Sequence, residues 1–217
     1  MTKTYLFCIW LLLFSSALAR IEPAPYDIFL VVLLGIGLAT PLLLFRQYLL
    51  APIVVMALYV LANIVSMLFA SEFLKGIEYL TITVYLIFTW VFFVGLFGRF
   101  GNRGVEIAWS GYVAAAVVTA AIASISTVGF FADAHWFLWG ENRAVGLFKD
   151  PNVFGAFLVP PAVYVIKRSS HGKRAHRFLW LLMSLVLSLG ILLSMSRGAW
   201  ANYVVALEKG RIGFFGF

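Results

Sequence analysis

Apolar residues occupy this chain in blocks of about 15–20, and polar residues are confined to short stretches between them. The blocks are residues 6–19, 28–45, 49–69, 79–97, 105–126, 153–166 and 178–195, with a shorter one at 199–207. Each predicts a helix, because a backbone in lipid must satisfy its own N–H and C=O groups. The pattern therefore predicts an all-α, polytopic transmembrane helical bundle of about seven spans plus a partial eighth. No soluble domain, linker or internal repeat interrupts it, so residues 1–217 read as one membrane-embedded domain.

Some blocks carry more detail. The first follows Lys3 and ends in Ala17-Leu18-Ala19, which fits a cleavable signal peptide or a first membrane helix. The uncleaved helix is the favoured reading, and the next segment enters from the same side in both. Block 105–126 is rich in alanine and valine, small enough for close helix packing. Block 153–166 would rise only about 21 Å as a helix, against a hydrocarbon core of about 30 Å. Pro160-Pro161 also interrupts it. Either the polar loop before it lends helical residues, or Asp150 and Asn152 sit below the membrane surface in a wet, protein-lined cavity. Block 199–207 would rise only about 14 Å, so the chain reads as a truncated version of something longer.

Composition agrees with lipid as the solvent. The chain is 63% hydrophobic and 12% charged, whereas soluble domains are about half apolar and a quarter charged. The net charge of +7 could suggest nucleic acid. The positive residues sit in short loops, however, so the positive-inside rule explains them better and no nucleic-acid partner is expected. One side holds Lys3, Arg46, Arg99, Arg103, Lys167, Arg168, Lys173, Arg174 and Arg177, with Glu106 its only acid. The other holds Arg20, Lys75, Arg143, Lys149 and Arg197 among Glu22, Asp27, Glu72, Glu78, Asp133, Glu141 and Asp150. The first side reads as cytoplasmic, with the N-terminus, and residues 142–152 and Arg197 face outward. The single cysteine, Cys8, excludes an intrachain disulfide and any cysteine-based metal cluster.

Candidate chemistry concentrates in residues 142–155 and at Arg197. An arginine offers a planar fork of donors suited to phosphate or pyrophosphate. Arg143 and Lys149 are placed for that, although on the pattern alone a solvated loop with local ion pairs is the favoured reading. Asp150-Pro151-Asn152 reads as a helix start, with Asp150 as cap and Pro151 at the first helical position. Such an N-terminus also offers N–H groups to an anion. Arg197 stands near the outer end of its block, between Ser194-Met195-Ser196 and Gly198-Ala199-Trp200, and could equally be an interface anchor. Phe130, Phe131, Trp136, Phe137 and Trp139 should lay the outward loop on the membrane face. His135 reads as an interface residue rather than a base, and His171 and His176 need no special role.

Two runs together resemble a known family. Arg143-Ala144-Val145-Gly146-Leu147-Phe148-Lys149-Asp150-Pro151-Asn152-Val153-Phe154-Gly155 is followed by a basic loop, a span and Ser194-Met195-Ser196-Arg197-Gly198-Ala199-Trp200. This order is similar to that of the O-antigen ligase and O-antigen polymerase superfamily of bacterial envelope glycosyltransferases. The resemblance implies a multi-pass protein of the bacterial inner membrane with its site facing the periplasm. Such enzymes transfer a glycan from an undecaprenyl-pyrophosphate carrier to an acceptor glycan or glycolipid, without metal, nucleotide sugar or other cofactor. By the resemblance, Arg143 and Arg197 hold the pyrophosphate, with Asp150, Asn152 and Lys149 in support. Members are typically much longer, and an outward histidine lies in their later half. No catalytic base is therefore assigned, and ligase and polymerase both stay open. Two other classes compete: a non-catalytic membrane subunit or scaffold, and a lipid-linked glycan transporter. The near absence of polar residues within the blocks disfavours the transporter.

Overall fold

The computed structural model describes residues 2–45, 49–129, 134–140, 142–171 and 174–211. The described chain is all-α. Its seven helices are α1 (Thr2–Ser15), α2 (Pro25–Ala39), α3 (Leu50–Met67), α4 (Phe73–Thr127), α5 (Pro151–His171), α6 (Arg174–Leu193) and α7 (Arg197–Arg211). Between α4 and α5 lie a 3₁₀ turn (Ala134–Phe137) and two short strands, β1 (Leu138–Trp139) and β2 (Arg143–Ala144), paired antiparallel. Among the described residues, α3, α4 and residues 176–193 of α6 are long and apolar enough to cross a membrane, and α1 and α2 are shorter apolar helices.

Local chemistry sets the helix ends. The hydroxyls of Ser15 and Ser16 bond back to Leu12 O and Leu13 O, and α1 stops at Ser15 rather than continuing to Ala19. Pro41 disfavours helical geometry in the residue before it, so α2 ends at Ala39, short of Phe45. The blocks 79–97 and 105–126 join in α4, but Gly101 breaks the helical path with φ 54° and ψ −139°. That conformation suits glycine alone, and Arg99, Gly101, Asn102 and Arg103 are all exposed there.

Helix α5 runs past block 153–166 at both ends. Both flanking loops lend residues, so α5 has 21 residues and rises about 31 Å. The Pro160-Pro161 pair does not end it. A proline at position i lacks the N–H that would bond the carbonyl at i−4. Pro161 therefore leaves Phe157 O unpaired within α5, and the Tyr112 hydroxyl donates to that oxygen at 2.6 Å. Helix α7 likewise extends beyond block 199–207, from Arg197 to Arg211.

The chain divides into two compact units, residues 3–29 with 107–217, and residues 30–106. In the first, α5 is the central element and packs against α6 and α7. Its stripe Phe154, Leu158, Ala162 and Val165 is buried with Leu187 and Ile191 of α6 and Ala199 of α7. The alanine-rich part of α4 allows the close approach its composition predicts: a Cβ on Gly190 would lie 3.0 Å from the Ala120 Cβ. In the second unit, α3 buries none of its residues. Its Ile53, Met56, Ala57 and Val60 line an apolar groove with Val84, Ile87, Phe88 and Val91 of α4.

Candidate functional site

The site lies at one end of the first unit, where the stretch after α1, the loop before α5 and the α6–α7 turn meet. Each is tied to the next. The Arg20 backbone N–H donates to Leu147 O at 3.1 Å. The Arg20 guanidinium bonds Trp136 O and lies 4.7 Å from the centroid of the Trp136 ring. Lys149 pairs with Glu22. Charge alternation alone had placed Arg20, Glu22 and Lys149 on one side. The opposite signs of Glu22 and Lys149 were the available signal for their pairing.

The loop before α5 is held from beneath. Leu147 N–H donates to Thr119 Oγ1 of α4 at 3.0 Å. Gly146 has φ 54°, and a Cβ there would lie 2.5 Å from the same hydroxyl oxygen. Only glycine therefore fits both the turn and the approach. Val145 and Gly146 N–H groups both donate to Phe137 O, which closes the loop around β1 and β2. The result fixes Arg143 at the end of a short ladder, opposite Trp139.

Asp150 starts α5 as predicted. Its Oδ1 accepts from the N–H groups of Asn152 at 2.6 Å and Val153 at 3.2 Å, with Pro151 in the first helical position. Asp150 O accepts the next N–H, that of Phe154, at 3.0 Å. The donors of this N-terminus are thus taken up by Asp150 itself, which leaves them no capacity for an anion.

Arg143 reaches across to the end of α6. Its Nε donates to Ser194 O at 3.1 Å, and Nη2 donates to Met195 O at 3.4 Å and Asn152 Oδ1 at 3.1 Å. The last carbonyls of a helix lack intrahelical partners and carry the negative end of its dipole. A guanidinium is well matched to both. A neighbouring carbonyl is met as well: Ile191 O accepts from Ser194 Oγ at 2.7 Å and from Trp200 Nε1 at 2.9 Å. Met195 turns the chain with φ 50°, unusual for a residue with a side chain. Ser196 then caps α7, its Oγ accepting from Ala199 N–H at 3.3 Å. Gly155 lets α5 approach this corner, since a Cβ there would lie 2.6 Å from Ser194 Oγ.

Arg197 is the first residue of α7 and is exposed. Lys75 pairs with Glu72 and Lys149 with Glu22, whereas Arg197 makes neither an ion pair nor a side-chain hydrogen bond among the described residues. The structure thus brings Arg143, Asn152 and Asp150 together and places Arg197 two residues beyond Met195. Comparison with protein-family models, with curated proteins and with solved structures finds no match.

Trp136 and Trp139 are exposed, and Phe137 is partly buried. Phe130, Phe131, Asp133 and Glu141, with the side chains of His135 and His171, lie outside the described residues. Among the described residues no three His, Cys, Asp or Glu side chains gather to hold a metal ion. Cys8 is a free, partly buried thiol.

Proposed function

We propose that the chain is a membrane glycosyltransferase of the O-antigen ligase or polymerase type. It would pass a glycan from an undecaprenyl-pyrophosphate carrier to an acceptor glycan or glycolipid. The proposal includes about seven spans, α4 counting as two that meet at Gly101, with α7 as a partial eighth. It also includes a cytoplasmic N-terminus in a bacterial inner membrane and a site facing the periplasm, by the distribution of lysine and arginine.

One observation carries the reading: Arg143 is bonded to the turn that presents Arg197, and Arg197 is exposed with no partner among the described residues. The positive charge of two guanidinium groups at one corner suits a pyrophosphate leaving group, whose developing charge an exposed fork there would stabilise. Lys149, Asp150 and Asn152 support the corner, through Glu22, the start of α5 and Arg143 respectively. No catalytic base is proposed; Asp150 Oδ1 caps α5.

The test is glycan transfer from an undecaprenyl-pyrophosphate donor by the purified chain in nanodiscs. Arg197→Ala and Arg143→Ala should each abolish transfer while membrane levels are kept. A second reading, a non-catalytic subunit or scaffold, is favoured by one observation: every hydrogen bond of Arg143 among the described residues goes to the protein itself. On that reading Arg197→Ala leaves envelope polysaccharide synthesis intact in cells.

A further inference from the structure

We infer that the two arginines have different tasks: Arg143 is a positioning residue that closes the end of α6 and sets the α6–α7 turn, and Arg197 alone meets the anion. The division of tasks rests on the donor reading above; the closing of α6 by Arg143 does not.

The argument is one of donor capacity. A guanidinium grips a phosphate best through two parallel N–H groups of its planar fork. In Arg143 the Nε and Nη2 donors are already aimed at Ser194 O, Met195 O and Asn152 Oδ1. Its positive charge also faces the negative end of the α6 dipole. The same bonds hold Met195 in a left-handed conformation that its side chain disfavours. That turn decides where α7 begins, and therefore where Arg197 projects. The other cations at this end are engaged as well: Arg20 with Trp136, and Lys149 with Glu22. Arg197 is the cation here that engages no other described residue and is exposed.

The experiment titrates inorganic pyrophosphate into the full chain in nanodiscs and measures hydrogen exchange across residues 194–200. It compares wild type, Arg143→Ala, Arg143→Lys and Arg197→Ala. Arg197→Ala should weaken pyrophosphate binding at least about tenfold with exchange unchanged. Arg143→Ala should speed exchange at the Ala199 and Trp200 amides about tenfold and weaken pyrophosphate binding only several-fold. Arg143→Lys should behave like Arg143→Ala, because lysine keeps the charge and lacks the fork. Should Arg143→Ala fail to insert, Asn152→Ala removes one anchor of the guanidinium and should give the same pattern at smaller amplitude. The inference is overturned if exchange is unchanged in the Arg143 variants. It is also overturned if Arg143→Lys restores the pyrophosphate affinity that Arg143→Ala loses. A wild-type chain that binds no pyrophosphate removes the donor reading and the task given to Arg197, while the exchange result still decides the role of Arg143.

Discussion

Met195 sits at the corner of the proposed site with φ 50° and a side chain that is about half exposed. A non-glycine residue in that region costs roughly 1–2 kcal/mol. Met195→Gly should therefore stabilise the fold by about 1 kcal/mol, and Met195→Ile should destabilise it by a similar amount. Thermal unfolding in detergent would read both, and a destabilising glycine would show that the side chain matters more than the turn. Asp150 offers a second check. Asp150→Ala removes the acceptor for two amides and should cost about 1 kcal/mol. Asp150→Asn should retain most of that stability, as a good cap of nearly the same shape.

Helix α5 shows how one element depends on another. Its proline pair frees a carbonyl, and Tyr112 of α4 supplies the missing donor. Tyr112→Phe should cost about 1 kcal/mol in the native background. In a Pro161→Ala background the helix can bond Phe157 O with its own N–H, so the same change should cost clearly less. A double-mutant cycle by unfolding in detergent would show this coupling. An identical cost in both backgrounds would mean that the hydroxyl does not replace the lost helical bond. Helix α4 makes a related point. Its Gly101 break falls among exposed arginines, at the place where the apolar pattern had already separated two blocks.

The arrangement of the first unit predicts a topology. Glu22 and Lys149 pair at the end where α5 begins, and Arg168 lies near the other end of α5. In a Cys8→Ala background, Glu22→Cys and Lys149→Cys should react with a membrane-impermeant maleimide from one side only. Arg168→Cys should react only from the other side. Labelling of all three from one face would mean that α5 does not cross the membrane. The Glu22–Lys149 pair itself is exposed, so disrupting it should change stability by less than about 1 kcal/mol, and less still at high salt.

Much of the fold was legible because its causes are local. Apolar blocks separated by charged residues specify helices, Pro151 marks a helix start, and Asp150 is a cap wherever such a helix begins, whereas block 28–45 ran past the stop that Pro41 imposes. The candidate residues were legible for the same reason, since arginine in a polar loop is conspicuous in an apolar chain. Their partners were not. That Arg143 would spend its donors on carbonyls 51 and 52 residues away depends on how α6 ends beside β2. That Tyr112 would reach Phe157 O, or Arg20 the loop at Trp136, depends on packing between elements distant in sequence. Local pattern decides which backbone groups need a partner. Only the assembled helices decide which side chain arrives to meet them, because that choice is made by distances of a few ångströms across the bundle.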